Sequence, residues 1–409
     1  MEKQSTFRHW ATLAACCGIA ASSIGMLTNS AGVFYSPVAA ALGVGRGAFA
    51  LHTSLCTLLA GFLSPVAARL MKKFPIRLLL TIGILFSCGS TALMSVTHSI
   101  WGFYVLGLAK GIGFAFCTLM PITTIIGNWF EARRGMATGI ALAFSGLGGA
   151  IFSPMLTSLI QSVGWEKAYL LSAVISVVLA LPGLLTLHYT PEEIGLAPYG
   201  GRPRPLRQES GKADKTAPKV NVIGPALWFL CFLTLFNTAI TGIAQHFPGI
   251  SESWGMASQV GAAMISAGMV GNIVSKLLIG VLSDKIGPFA ACRTMMCTNL
   301  AALTILLLVA PRASAVALAA AFFYGAVYSV SATGLPLLTR RLFGENYASA
   351  FSVVTLFTNT GSAFSLTIVG LIYDLTGGYT LALIGGILLD CANLVLLSLL
   401  SRREKAASV

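Results

Sequence analysis

Three ionisable side chains stand inside long apolar runs, where charge is least expected: Lys110, Lys276 and Asp390. If such a run crosses a bilayer, a charge near its middle costs roughly 2.5 to 3.5 kcal/mol even on forgiving insertion scales. By default it faces a water-filled passage and has a task there. Two cations against one acid bias that passage towards an anionic solute. Asn272 lies one helical turn before Lys276, on the same face. Its amide can hydrogen-bond a hydroxyl or a carboxylate but cannot carry a proton. His246, in Gln245-His246-Phe247-Pro248, belongs to the residue type that titrates near neutral pH and suits a proton switch, with His52 as a second option. Lys110 precedes Gly111-Ile112-Gly113 and could supply a second cation for a dianion. Tyr328, Asn29 and Tyr35 could offer hydrogen bonds to the same space. Each assignment has a plain rival. Lys276 could snorkel to the headgroups, Lys110 could pair with a backbone carbonyl, His246 could be a surface residue at a helix end, and the tyrosines could be packing. Asp390 reads better as a structural partner than as a coupling group.

The elements that would position these residues follow from composition. Of the 409 residues, 56% are hydrophobic and 10% charged, against about 25% charged in soluble domains. The apolar runs are too long and unbroken for the alternation of a membrane barrel, so they are helices. Twelve spans are predicted, at 10–40, 48–70, 77–96, 100–126, 134–160 and 166–188, then 223–249, 258–282, 288–310, 313–338, 347–373 and 379–401. The first run continues well beyond the apolar core of a signal peptide and reads as a retained helix. Residues 189–222, rich in Pro, Gly, Lys and Arg, read as a cytoplasmic linker between an N-terminal half (1–188) and a C-terminal half (223–409).

Basic residues set the orientation. With the N-terminus in the cytoplasm, nearly all loop lysines and arginines fall on that side, and only Arg46, Lys167 and Arg312 fall outside. That asymmetry is the positive-inside signature and supports an even number of crossings with both termini cytoplasmic. It also accounts for the net charge of +13 as loops facing anionic lipid, without nucleic acid, for which no compact basic and aromatic patch exists. The nine cysteines show no CxxC spacing and read as small buried hydrophobes. No cofactor motif is present: the Gly-rich runs at 111–113 and 146–149 follow no strand, and no metal cluster or catalytic triad is legible. Gly135, Gly139, Gly146 and Gly149 are spaced to let helices approach closely.

The segment Gly280-Val-Leu-Ser-Asp284-Lys285-Ile-Gly287 resembles the signature loop of the major facilitator superfamily, and its weaker repeat after the second span has Pro65 at the acidic position. The stretch from Asn128-Trp-Phe-Glu-Ala-Arg133-Arg134-Gly to Gly149, with Asn29-Ser-Ala-Gly-Val-Phe, Pro37, Leu42, Gly43 and Arg46, is similar to the monocarboxylate transporters and the oxalate/formate antiporters. The resemblance implies an all-α membrane protein of the major facilitator fold, twelve helices in two pseudo-symmetric six-helix halves. It implies a gating role for Asp284 and Lys285 and for Arg133 and Arg134. At Lys276 those relatives typically carry an arginine that binds the substrate carboxylate, at Asn272 animal relatives often carry an acid, and near His246 related carriers often have a histidine. A lysine here is a point charge in place of a two-pronged fork. Helix eleven of the pattern should contain a lysine for oxalate, and 347–373 has no basic residue.

The expectation is therefore a multi-pass carrier in the plasma (inner) membrane, working as a monomer among lipids, without cofactor. Its substrate would be a small carboxylate, driven by protons or by a counter-anion. The rivals are a dicarboxylate exchanger using Lys110 with Lys276, and a sensor that kept the fold without transport.

Overall fold

Away from water, a backbone satisfies its polar groups most simply within helices, and helices make up this protein. The computed structural model describes residues 2–71, 73–201, 224–344 and 347–407, with all their side chains except those of residues 2–5, 68, 119–120, 134–135, 347–349, 352 and 405–407. Among the described residues there is no strand, only an isolated bridge between Phe130 and Tyr199. Eleven helical stretches are long and apolar enough to cross a membrane. They are α1 (Thr6–Leu42), α2 (Arg46–Ala67), α3 (Ile76–Met94), α4 (Ile100–Trp129), α5 (Met136–Thr186) and α6 (Pro225–Ser253), then α7 (Ser258–Ile286), α8 (Pro288–Leu308), α9 (Ser314–Phe343), α10 (Val353–Thr376) and α11 (Thr380–Glu404). The predicted spans 134–160 and 166–188 run together as α5, whose backbone leaves helical geometry at Gly164, with φ +87° and ψ 163°.

Leu85, Val105, Leu277 and Leu388 are 64 to 69% exposed on the outer faces of their helices. Side chains like these suit contact with lipid rather than water. All nine cysteines are free; seven are buried as expected, whereas Cys297 and Cys391 lie exposed on α8 and α11. Of the glycines spaced for close approach, Gly139 does not serve it, and glycines outside that set do. Gly139 has open space around it, while a Cβ on Gly148 would lie 3.0 Å from the Gly25 Cα, and one on Gly271 would lie 1.8 Å from the Phe322 carbonyl oxygen.

The helices gather into two compact units. One comprises Met1–Ser30, Leu59–Phe152 and Leu159–Pro218; the other comprises Ala31–Leu58, Ser153–Ser158 and Lys219–Val409. The second unit thus includes the later part of α1 and the earlier part of α2.

Besides the break in α5, four helices depart from regular geometry. In α1, Ala20–Asn29 is π-helical and Ala31–Phe34 is 3-10. In α4 the chain breaks at Thr118. In α6, Gly242–His246 is 3-10, and in α9, Val330–Gly334 is π-helical. Such turns expose carbonyls that must find other donors, and at membrane depth this is tolerated only where protein or a water-filled cavity answers them.

The start of the predicted linker is anchored. The Tyr199 N–H donates to the Trp129 carbonyl at 2.8 Å, and the Ala132 N–H donates to the Tyr199 carbonyl at 2.9 Å. Asn128 Nδ2 donates to the Tyr189 carbonyl and Trp129 Nε1 to the His188 carbonyl, both at 3.0 Å. The Asn-Trp-Phe motif therefore holds the chain leaving α5, inside an aromatic cluster of His9, Trp10, Phe130 and Tyr199. Residues 202–223, with the basic groups of the linker, lie outside the described residues.

Candidate functional site

Lys276 lies inside α7, about 15 Å along the axis from Ile286 and about 27 Å from Ser258 at roughly 1.5 Å per residue. Val270, Val274, Leu277, Leu278 and Val281 are exposed on one side of this helix. Lys276 shares the other side with the buried Ile265, Met269 and Asn272. It is half-buried and makes no hydrogen bond or ion pair among the described residues. Asn272 is 6% exposed; its Nδ2 reaches only the sulfur of Met269 at 4.0 Å, and its Oδ1 has no partner. The next face of α7 is sealed against α9, where Ser275 Oγ donates to the Gly325 carbonyl at 3.1 Å. Two predicted site residues are thus brought together on one helix, as a cation and an amide whose polar capacity is unspent.

Elsewhere in that unit the irregular turns are answered by side chains. Tyr324 donates its hydroxyl to the Ile240 carbonyl at 2.5 Å, and Tyr328 donates to the Thr241 carbonyl at 3.3 Å. Both carbonyls directly precede the 3-10 turn of α6. A tyrosine has one proton to donate, so Tyr328, predicted to offer it to a solute, spends it on the backbone. Asn237 likewise donates to Ser331 Oγ at 2.6 Å, in the π-helical turn of α9.

In the first unit, Lys110 is buried and donates from Nζ to the Leu27 carbonyl at 3.1 Å, with its ammonium 5.5 Å from the centre of the Phe114 ring. Leu27 belongs to the π-helical part of α1, so the lysine serves a carbonyl that irregular geometry has freed. Asn29, in the same π-helical stretch, donates to the Ser145 carbonyl at 3.0 Å. A groove of about 500 Å³ beside them is lined by Trp10, Leu13, Phe144, Leu147, Phe152 and other apolar residues. It offers an anion nothing.

A second cluster was not foreseen as a site. Arg46, the first residue of α2, meets Glu252 with Nη2 at 2.9 Å from Oε2, donates from Nη1 to Tyr379 Oη at 3.3 Å, and lies 4.2 Å above the Tyr373 ring. Glu252 also accepts from Ser36 Oγ at 2.7 Å. Asp374 takes the backbone N–H groups of Arg46 and Gly47, one on each oxygen, both at 2.8 Å. A carboxylate on the first amides of a helix satisfies donors that have no partner within the helix and meets the positive end of its dipole. Gly47 and Gly370 allow this approach, since a Cβ on Gly370 would lie 2.5 Å from the Gly47 Cα. The cluster ties the α1–α2 corner to the ends of α6 and α10. A signal for it exists: Arg46 is among the few basic residues that the positive-inside reading leaves outside, and Glu252 and Asp374 fall just past the predicted spans 223–249 and 347–373.

His246 closes the inner edge of this cluster. It is 1% exposed, so the reading of a surface residue at a helix end does not hold. Its Nε2 is 2.9 Å from the Leu366 carbonyl oxygen, which makes Nε2 the protonated nitrogen, and Nδ1 then accepts from Tyr379 Oη at 3.5 Å. Tyr35 packs edge-on against its ring at 5.3 Å, beside Phe49 and His52. His52 lies with Nδ1 2.5 Å from the Phe49 carbonyl oxygen. Tyr35, predicted to offer a hydrogen bond to the solute, and His246, predicted as the proton switch, therefore meet in one aromatic cluster behind Arg46. Asp284 and Lys285 are exposed at the other end of α7 and form no ion pair among the described residues. Arg133 is exposed, with a left-handed backbone at φ +58° where α5 begins. The side chain of Arg134 lies outside the described ones.

Many apolar helices, interrupted where buried polar groups gather, define a multi-pass membrane protein. The model of the Major Facilitator Superfamily matches residues 16–365 and 227–409; the chain belongs to that superfamily and is a transporter rather than an enzyme. Over 380 residues it is 26% identical to monocarboxylate transporter 13 of Rattus norvegicus, covering 91% of this chain and 84% of the relative. It is 25% identical over 317 residues to the uncharacterized MFS-type transporter YhjX of Escherichia coli, covering 73% and 72%. Among solved structures, the nucleoside transporter NupG superposes with a TM-score of 0.73 at 12% identity, over 96% of this chain and 99% of that one.

Proposed function

We propose that the chain is a secondary active transporter of small organic anions, with monocarboxylates of lactate or pyruvate size as its substrates. The observation that carries this reading is the unpaired ammonium of Lys276 beside the unspent amide of Asn272, on the face of α7 turned away from its exposed apolar side chains. A 29-residue helix is about 43 Å long, against roughly 30 Å of hydrocarbon. Centred in it, Lys276 would lie about 8 Å inside the nearer boundary, on the wrong side of the helix for snorkelling. An anion is the partner that neutralises it. The monocarboxylate names among the relatives support the same class.

Two crossings by α5, divided at Gly164, would make twelve spans in two six-helix halves with both termini cytoplasmic, in a plasma (inner) membrane. The two halves would rock about the bound anion, exposing it to each side in turn. The Arg46 cluster is the outer latch of that cycle, and Asp284, Lys285, Arg133 and Arg134 belong to the inner end. Proton symport through His246 fits its enclosure by Tyr35 and Tyr379 next to Arg46: the ring exchanges protons with the outer solution only when the latch opens.

Reconstituted protein in liposomes tests this. Labelled lactate should accumulate when the outside is acidified, and an excess of other monocarboxylates should compete. Saturable binding without flux would instead make the chain a sensor. The dicarboxylate exchanger needs Lys110 free to meet a second carboxylate, whereas its bond to Leu27 supports a structural task. Lys110→Met should lower the thermal midpoint by several degrees and leave monocarboxylate affinity unchanged. A selective loss of dicarboxylate uptake in that variant would favour the exchanger.

A further inference from the structure

Asp390 of α11 belongs neither to the Lys276–Asn272 pair nor to the Arg46 cluster. It is 1% exposed, and no lysine, arginine or histidine pairs with it among the described residues. Asn299 of α8, equally enclosed, donates from Nδ2 to Asp390 Oδ2 at 2.8 Å. The other oxygen of each group, Asp390 Oδ1 and Asn299 Oδ1, is buried without a hydrogen-bond partner. Two orphaned acceptors and an unpaired carboxylate are each costly inside a protein. One proton removes all of these costs.

We propose that Asp390 is a proton-binding site: it holds a proton on Oδ1 and donates it to Asn299 Oδ1, so that acid and amide close into a neutral, doubly hydrogen-bonded pair joining α8 to α11. The proton is a fixed structural ligand, bound throughout the transport cycle and separate from any proton that moves with solute. The surroundings agree. Tyr324 of α9, the ionisable group that shares them, already donates its hydroxyl to the Ile240 carbonyl of α6. From α6 itself, Asn237 is committed to Val327 and Ser331. One turn further along α11, Asn393 is oriented so that its amide nitrogen donates to the Leu233 carbonyl of α6 at 3.0 Å. Among the described residues no cation of α6, α8, α9 or α10 forms a salt bridge with Asp390.

Infrared difference spectra of the full chain in lipid nanodiscs at neutral pH, wild type minus Asp390→Asn, test the proposal. A protonated-carboxyl C=O stretch should be present in the wild type, lost in Asp390→Asn, and shifted to higher frequency in Asn299→Ala, where its acceptor is gone. Carboxylate stretches in place of that band would overturn the proposal. If Asp390→Asn does not fold, Asn299→Ala against wild type reads the same band. Uptake separates a fixed proton from a moving one. An asparagine at 390 supplies the same donor, so gradient-driven uptake should be retained; its loss, with exchange intact, would make Asp390 a coupling group and overturn the assignment.

Discussion

Lys276→Gln should abolish measurable carboxylate accumulation in proteoliposomes while the protein keeps its yield, monodispersity and melting behaviour. Among the described residues Lys276 makes no bond that the substitution could break, so the variant isolates the solute contact. Hydrogen bonds to a charged group contribute about 1.5 to 3 kcal/mol, which at 1.4 kcal/mol per decade is a roughly ten- to hundredfold loss of apparent affinity. Losing the charge proposed to meet the anion at depth should also leave the solute's own desolvation uncompensated, and that lowers the maximal rate. Lys276→Arg should retain part of the uptake, because the cation remains. Its planar fork approaches a carboxylate from a different distance and angle, so the retained activity should show an altered order of preference among carboxylates. Unchanged transport by the glutamine variant would remove Lys276 from the site and, with it, the anion reading.

The second large effect belongs to the Arg46 cluster, the proposed outer latch. Arg46 and Glu252 side chains are 17% and 34% exposed, so their ion pair contributes on the order of 1 kcal/mol after solvent screening. The two amide bonds that Asp374 makes at the start of α2 should contribute about 1 kcal/mol more. Removing both, with Arg46→Gln and Asp374→Asn together, should shift the balance between latched and unlatched states by roughly thirtyfold. A cysteine placed at Ala50, fully buried in α2, reports the shift. Its labelling by a membrane-impermeant maleimide should be slow in the otherwise native chain and fast in the double variant. A parent without the added thiol accounts for the exposed Cys297 and Cys391. Equal labelling rates would mean that the cluster holds the corner without governing access. Acidification should speed labelling too if His246, sealed behind Tyr379, takes its proton as the latch opens.

Helix positions were largely legible from hydropathy alone, because a lipid-facing backbone has few options and long apolar runs declare themselves. The irregular turns were not. Nothing in Ala20–Asn29 or Val330–Gly334 announces a π-helix; those turns depend on whether Lys110 or Asn237 arrives from another helix to answer a freed carbonyl or hydroxyl. The same limit applies to the glycines. Gly148 and Gly139 look alike in sequence, and only the partner helix distinguishes a packed position from an open one.

Among the candidate site residues, Lys276 and Asn272 could be paired from spacing because both lie on one helix and helical periodicity is local. His246 and Tyr35, far apart in the chain, meet in the aromatic cluster behind Arg46, a pairing that spacing does not show. The Arg46, Glu252 and Asp374 cluster was absent from the sequence-based reading for the same reason. Its members are each ordinary charges at helix ends, separated by more than a hundred residues, and their meaning is a matter of distance.

Membrane residence, the helical class and the cation that α7 carries one turn from Asn272 were thus determined by sequence, since each depends on composition or on spacing within one helix. Which polar groups are spent on the protein itself was decided by tertiary structure. A side chain such as Lys110, Tyr328 or Asp390 carries the same chemistry in any sequence, and only a neighbour brought within hydrogen-bond reach determines whether it remains available to a solute.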